Sequence, residues 1–145
     1  MNTRLTQPLT KPISTYDLLT RIKEIFLEEP LRCRMNGYLW EREKGPHLAV
    51  TEWPRCGTVG CIAGWAGVLL NRGDRADFGD LGLTYRDHTE LFYPSVKGSG
   101  FDYQTEEDQQ TPAYARMVAT HIERFQARHA SVLRAHMCRP TVMTP

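Results

Sequence analysis

The sequence has almost no excess charge of either sign, because 18 lysines and arginines are balanced by 17 aspartates and glutamates. This balance gives no overall attraction to nucleic acid or to an anionic membrane surface. No apolar run is long enough to span a bilayer, and the polar residues 1–12 lack the apolar segment of a signal peptide. We therefore expect a cytoplasmic protein with no membrane partner, whose four cysteines are free thiols.

The sequence also lacks the short motifs that mark common cofactor sites. It has no Cys-x-x-Cys pair and no glycine-rich phosphate-binding loop. Cys56 and Cys61 have four residues between them, at the loose edge of zinc-ligand spacing, but no second pair accompanies them as in a zinc ribbon. The sequence therefore predicts no cofactor and no metal site.

What the chain does contain is a long uncharged run from Cys56 to Asn71. We expect a helix in this run, beginning at Thr58 as N-cap and ending near Asn71 and Gly73, which tolerate left-handed backbone. Because the run is apolar on every side, this helix should lie at the centre of the fold.

Three glycines, Gly60, Gly64 and Gly67, fall on one stripe of this expected helix. Each glycine costs about 1 kcal/mol relative to alanine inside a helix. A stripe of them indicates that another element or a ligand approaches the helix closely. Close packing of a neighbouring element is the favoured interpretation.

The same run carries a resemblance to known proteins. The motif Cys56-Gly57-Thr58-x-x-Cys61-x-Ala63-Gly64-Trp65 resembles that of a set of small phage and bacterial proteins with no assigned activity. Weaker similarities to this set lie at 81–84, 91–94 and 111–113. The resemblance implies a shared, mostly helical fold and a mobile-element origin, but it assigns no catalytic residue.

Three further helices are expected from capping residues and apolar periodicity. Ser14, Thr84 and Thr111 are each suited to be an N-cap, and Pro112 suits the first helical position after Thr111. The first of these helices should end before Pro30, and the last should run to about Cys138.

Between the first helix and the central one, turn residues predict a small hairpin. The Asn36-Gly37 turn favours pairing of Tyr38–Glu41 with Leu48–Trp53. An irregular loop held by two tryptophans is the alternative. We therefore expect a mainly α, single compact domain of about four helices around the glycine-striped helix, with or without this hairpin. The domain should span 14–139, between a flexible N-terminal arm at 1–13 and a frayed C-terminus at 140–145.

Cys61 is the candidate catalytic nucleophile, because a thiol in the first turn of a helix is favoured as thiolate. His88 or His121 would have to serve as its base. The alternative is structural, with Cys61 as a small buried residue and His121 as a hydrogen-bonded core histidine.

Candidate binding residues lie on the last helix and around the expected hairpin. Arg116, Arg124 and Arg128 give the last helix a basic surface that suits an acidic partner protein or the phosphates of a nucleic acid. Trp40 and Trp53 are candidates for an exposed aromatic patch, which marks partner surfaces.

From these patterns we expect a small intracellular, phage-encoded protein that binds and modulates a host or viral macromolecule, with a protein as partner. Two alternatives stay open. One is a small cysteine-dependent enzyme that uses Cys61, and the other is a nucleic-acid-contacting protein that uses the arginine-rich helix.

Overall fold

The fold is mainly helical, with two small antiparallel sheets. A computed structural model of the chain describes residues 3–33, 39–41, 45–46, 58–73, 75–92 and 111–141. Its helices are α1 (Thr3–Thr6), α2 (Thr15–Glu28), α3 (Ile62–Leu69), α4 (Tyr85–Phe92) and α5 (Pro112–Ala135), with a 3-10 turn at Pro30–Arg32. Its strands are β1 (Ile13–Ser14), β2 (Leu39–Glu41), β3 (Gly45–Pro46), β4 (Thr58–Gly60) and β5 (Met137–Cys138). The expected domain of four principal helices is confirmed, with α1 as an additional single turn.

Helices α2 and α5 form the main layer of the fold. In each helix, apolar residues at helical spacing form one face, and that face is buried. This is the pattern expected of surface helices packed on a core. The amide of Gln126 on α5 adds polar contacts, donating to the Tyr16 carbonyl at 2.9 Å and to Thr20 Oγ1 at 2.8 Å. The buried residues are Leu18, Leu19, Ile22, Ile25 and Phe26 on α2, and Val118, Ile122, Phe125 and Leu133 on α5.

Three of the helix starts follow the caps read from the sequence. The hydroxyl of Ser14 accepts from the backbone amide of Asp17 at 3.1 Å. Thr84 and Thr111 cap α4 and α5 in the same way, accepting from Asp87 and Tyr114 at 3.1 Å each. These caps could be predicted because each depends only on residues three positions apart.

Helix α3 lies at the centre, and all eight of its residues are buried. The structure corrects the expected start of this helix. Thr58 is not the N-cap, because 58–60 pair with β2 as a strand and the helix begins after Cys61. The Cys61 sulfur takes the capping role and accepts from the amide of Gly64 at 3.4 Å. Gly60 therefore lies outside the helix, and the glycine stripe is reduced to Gly64 and Gly67.

At Gly67 the structure shows what the glycine accommodates. A Cβ built at this position would lie 2.6 Å from the backbone N and Cα of Arg75. The segment that crosses here is hydrogen-bonded to α3, since Arg72 N donates to the Gly67 carbonyl at 2.8 Å and Ala76 N to the Ala63 carbonyl at 3.0 Å. The close-packing interpretation is confirmed at Gly67, where the neighbour is the returning chain itself.

Both ends of the described chain meet the C-terminal end of α3. The Leu9 amide donates to the Leu69 carbonyl, and the Thr141 amide to the Leu70 carbonyl, both at 2.8 Å. Carbonyls at a helix end lack partners within the helix, so these contacts satisfy them. Leu5 is also buried in the core, and Leu9 and Ile13 pack against it.

The β1–β5 ladder is a second consequence of this docking. Ile13 pairs with Cys138 and Ser14 with Met137, next to the first turn of α2. Helix α5 therefore ends at Ala135 instead of continuing to about Cys138, because 137–138 pair with β1. Within α5, His129 has non-helical backbone angles (φ −122°, ψ 21°) and marks a kink.

The predicted hairpin is present, but with different strands. In the second sheet β2 lies between β3 and β4, with Trp40 opposite Pro46 on one side and Val59 on the other. Gly45-Pro46 forms the edge strand β3, the position in a sheet that tolerates proline. Tyr38 and the expected partner strand Leu48–Trp53 lie outside the described residues.

Candidate functional site

Among the described residues, several ionisable side chains lie close together where α4 meets α5. Glu90, near the end of α4, is the hub of this junction, because its backbone and its side chain both contact α5. Asp87 lies one turn earlier on the same side of α4, since residues three apart share a helix face. Three α5 residues, His121, Arg128 and His129, complete the junction.

His121 holds the end of α4 through its imidazole. Its Nε2 lies 3.0 Å from the Glu90 carbonyl and 3.2 Å from the Leu91 carbonyl. Because carbonyl oxygens only accept hydrogen bonds, this nitrogen carries the proton. Burial lowers the pKa of His121, although the two carbonyls oppose that shift. The geometry therefore gives His121 a structural contact at the end of α4.

The carboxylate of Glu90 is shared between two α5 side chains. Arg128 Nη2 donates to Oε1, and His129 Nε2 lies 3.2 Å from Oε2. Burial alone would raise the pKa of Glu90, but hydrogen bonds from Arg128 and His129 outweigh it, so the pKa is lowered. The carboxylate is accordingly held in its charged form, with Oε2 directed towards His129.

Asp87 brings a second carboxylate to the same imidazole. Its Oδ1 lies 3.9 Å from His129 Nε2. One donor atom from each of Asp87, Glu90 and His129 lies within 4.8 Å of the other two, and all three residues are partly exposed. We refer to these three residues as the carboxylate–histidine cluster. They are donor types that could hold a metal ion.

His88, on the same helix, lies among aromatic rings. Its ring centroid is 5.0 Å from that of Phe78 and 4.9 Å from that of Phe92, with Tyr85 at 5.8 Å. Burial lowers the pKa of His88, with the charge of Asp77 acting in the opposite direction. The structure thus places His88 in an aromatic group at the surface of α4.

Cys61 lies at the start of α3, in the core. Its side chain caps the helix and only 5% of the residue is exposed. Cys33 is fully buried, and burial, together with the charge of Cys61, raises the pKa of the Cys33 thiol well above its usual value. The described contacts therefore give Cys61 a structural role as a helix cap and as part of the core.

The capping role of Cys61 leads to a prediction about two substitutions. Cys61→Ala removes the acceptor for the buried Gly64 amide, so we expect it to reduce the free energy of unfolding by about 1–2 kcal/mol. Cys61→Ser keeps an acceptor of good capping chemistry, so we expect a change within about 0.5 kcal/mol. Urea unfolding followed by circular dichroism would measure both. Equal losses in the two variants would mean that capping is not what the thiol contributes.

The arginines of α5 differ in what they contact. Arg128 binds Glu90, and Arg134 lies over the ring of Tyr16 at 3.9 Å. Arg116 and Arg124 are exposed, and within the described residues neither forms an ion pair. Their side chains are therefore available on the surface of α5.

The two tryptophans proposed for binding cannot be placed as a patch. Trp40 lies in β2, where its backbone pairs with both neighbouring strands. Trp53 falls outside the described residues. Trp65, by contrast, is fully buried in α3, and its indole Nε1 donates to the Arg32 carbonyl at 3.0 Å.

The junction thus joins two residues singled out in the sequence, His121 and Arg128, to three that were not. Asp87, Glu90 and His129 were missed as a group because two of them lie on α4 and the third lies 39 positions after Glu90. The spacing of Asp87 and Glu90 on a capped helix was a readable signal. Their pairing with His129 depends on how α4 packs on α5.

Comparison with known proteins adds no relative to this description. No protein-family model matches the sequence, and neither the curated proteins nor the solved structures give a significant match. In the part of the chain that the structure describes, no helix combines the length and apolar character needed to cross a bilayer.

Proposed function

We propose that this protein is a small binding module that engages an acidic surface of a partner protein through α5. The proposed contact surface comprises Arg116, Met117, Arg124 and Arg128, and we call it the arginine face. The observation that carries the proposal is the exposure of Arg116 and Arg124 on a helix that has four arginines, no lysine and one glutamate.

The positions of these residues support a single contact surface. At 100° per residue, Met117, Arg124 and Arg128 fall within about 40° of one another around the helix axis, and Arg116 lies about 80° from Arg124, at the edge of the same exposed side. Met117 is 39% exposed, so an apolar side chain lies among the charged ones. Arginine and methionine are enriched in protein interfaces, whereas lysine and glutamate are depleted. The composition of the arginine face therefore resembles that of a protein interface.

The chemistry of arginine supports an acidic partner. The guanidinium group is planar and always charged, and it can donate two parallel hydrogen bonds to one carboxylate. Within the chain, Arg128 already binds a carboxylate, donating through Nη2 to Oε1 of Glu90. Arg116 and Arg124 would extend the same recognition to carboxylates of the partner. We propose a host or viral protein as that partner.

The proposal predicts a specific loss of binding on charge reversal. We expect Arg116→Glu/Arg124→Glu to weaken binding to a fluorescently labelled polyglutamate peptide at least tenfold, because two attractive contacts become repulsive. Fluorescence anisotropy at low and at physiological salt would measure the affinity. The attraction of the unsubstituted chain should weaken as salt rises, because exposed charges are screened.

A matched control separates local recognition from net charge. Lys11→Glu/Arg86→Glu makes the same change in net charge at exposed positions outside α5, and we expect it to change the affinity less than threefold. Equal losses in the two double variants would contradict a defined arginine face. Tighter binding to a DNA oligonucleotide of equal charge, lost with the same α5 variant, would favour the nucleic-acid alternative instead.

A further inference from the structure

We propose that the carboxylate–histidine cluster of Asp87, Glu90 and His129 binds a divalent transition-metal ion at the α4–α5 junction. The site shares Arg128 with the arginine face, because Arg128 binds Glu90. None of the three proposed ligands belongs to that face, so different variants test the two proposals.

The distances within the cluster are close to those that a shared ion requires. With metal–ligand bonds of about 2.1 Å, ligands in tetrahedral geometry lie about 3.4 Å apart. His129 Nε2 lies 3.2 Å from Glu90 Oε2 and 3.9 Å from Asp87 Oδ1. Small side-chain rotations would therefore bring three donor atoms around one ion.

The helices supply these ligands from two directions. Asp87 and Glu90 lie three positions apart on α4, and His129 approaches from α5 at the kinked position. Metal sites in helical proteins are built in this way, from side chains on facing helices. The side chains of the three residues are 22–33% exposed, so an ion held there would keep access to water for its remaining coordination positions.

Arg128 fits the role of an outer partner. It binds Oε1 of Glu90, while Oε2 is the atom closest to His129. Ligating carboxylates are commonly held by such a second hydrogen bond, which fixes the orientation of the ligating oxygen. The contact of His121 with the Glu90 carbonyl adds a backbone restraint at the same residue.

The type of donor selects the class of ion. One imidazole nitrogen with two carboxylates suits divalent ions such as Zn²⁺, Co²⁺ or Fe²⁺, whereas Ca²⁺ and Mg²⁺ prefer oxygen ligands alone. Arg128 contributes one positive charge beside the two carboxylates, so the cluster retains a net negative charge when His129 is neutral. This negative charge favours a cation, and an ion with affinity for nitrogen can replace the hydrogen bond between His129 and Glu90.

Co²⁺ titration of the full chain, followed by optical absorption, tests the site. We expect one equivalent of Co²⁺ to produce visible bands of nitrogen and oxygen coordination, without the near-ultraviolet band of a thiolate–metal bond. His129→Gln and Asp87→Asn should each weaken binding at least tenfold, because each replaces a ligand by a neutral amide, which binds these ions more weakly. Glu123→Gln, which removes an exposed carboxylate from α5 outside the cluster, should leave the affinity within about twofold.

The outcomes of this titration are decisive. A thiolate band would assign the ion to a cysteine and overturn the proposal. Failure to bind Co²⁺ would also overturn it, as would unchanged affinity in either ligand variant. Circular dichroism of each variant would confirm that lost binding is not lost folding, and the partly exposed Asp87 keeps the test informative if His129→Gln is unstable.

Discussion

Replacing Trp65 by alanine is expected to lower the free energy of unfolding by about 4 kcal/mol, the largest effect of any substitution considered for this fold. Trp65 is fully buried at the middle of α3, where its removal would leave a large cavity. Its indole also satisfies the buried carbonyl of Arg32 and lies 5.4 Å from the Arg32 guanidinium carbon. Urea unfolding monitored by circular dichroism would measure the loss.

Two companion variants separate the contributions of Trp65. Trp65→Phe keeps an aromatic ring but removes the hydrogen bond from the indole to the Arg32 carbonyl, so we expect an intermediate loss of about 1–3 kcal/mol. Tyr85→Ala is a control for removing an aromatic side chain, because Tyr85 is 72% exposed; we expect it to cost less than about 1 kcal/mol. If Trp65→Ala cost no more than Tyr85→Ala, α3 would not be the centre of the core.

The second large effect is expected at Gly67, where alanine should destabilise the fold by about 2 kcal/mol. Overpacking costs about 1–3 kcal/mol and reaches the upper part of that range where a rigid backbone is the neighbour. The Cβ of alanine would meet three backbone atoms of Arg75 at 2.6–2.7 Å, so the crossing segment would have to move. Alanine has a higher helix propensity than glycine by about 1 kcal/mol, which offsets part of this cost.

Gly79 provides the matched control for Gly67. A Cβ at Gly79 would have no heavy atom within 4 Å, so Gly79→Ala should be neutral or slightly stabilising. Thermal unfolding of the two variants should therefore differ by roughly 4–8 °C in Tm. Equal midpoints would mean that the segment after α3 can move away from the helix without loss.

The parts of the fold that could be predicted from the sequence are those determined by local chemistry. Ser14, Thr84 and Thr111 each cap a helix by accepting from an amide three positions ahead. Both partners of each contact are therefore visible in a short stretch of sequence. The left-handed backbone at Asn71 and Gly73 was also predicted correctly. In each case the stabilising contact and its cause lie within one or two helical turns.

The errors arose where distant segments compete with local signals. Thr58 has good capping chemistry, but pairing of β4 with β2 satisfies its backbone as a strand, so Cys61 became the cap. Within the expected N-terminal arm, the Leu9 amide donates to the Leu69 carbonyl at the end of α3, and Leu5 lies in the core. Docking of this kind depends on unpaired carbonyls elsewhere in the fold, which no local pattern reveals.

In the candidate site too, the locally determined features could be predicted and those that depend on distant contacts could not. Arg116, Arg124 and Arg128 could be identified from the composition of one helix. Glu90 could not, because its importance comes from contacts with residues 31–39 positions away on α5. The sequence therefore indicated the arginine face, while the carboxylate–histidine cluster required the packing of α4 on α5.

The most direct test of the proposed function is the difference in polyglutamate affinity between the two charge-matched double variants. The arginine face predicts that Arg116→Glu/Arg124→Glu binds at least tenfold more weakly than the unsubstituted chain, a loss of about 1.4 kcal/mol or more. It also predicts that Lys11→Glu/Arg86→Glu binds nearly as well as that chain. If both variants lost affinity equally, or neither did, binding through a defined surface of α5 would be contradicted.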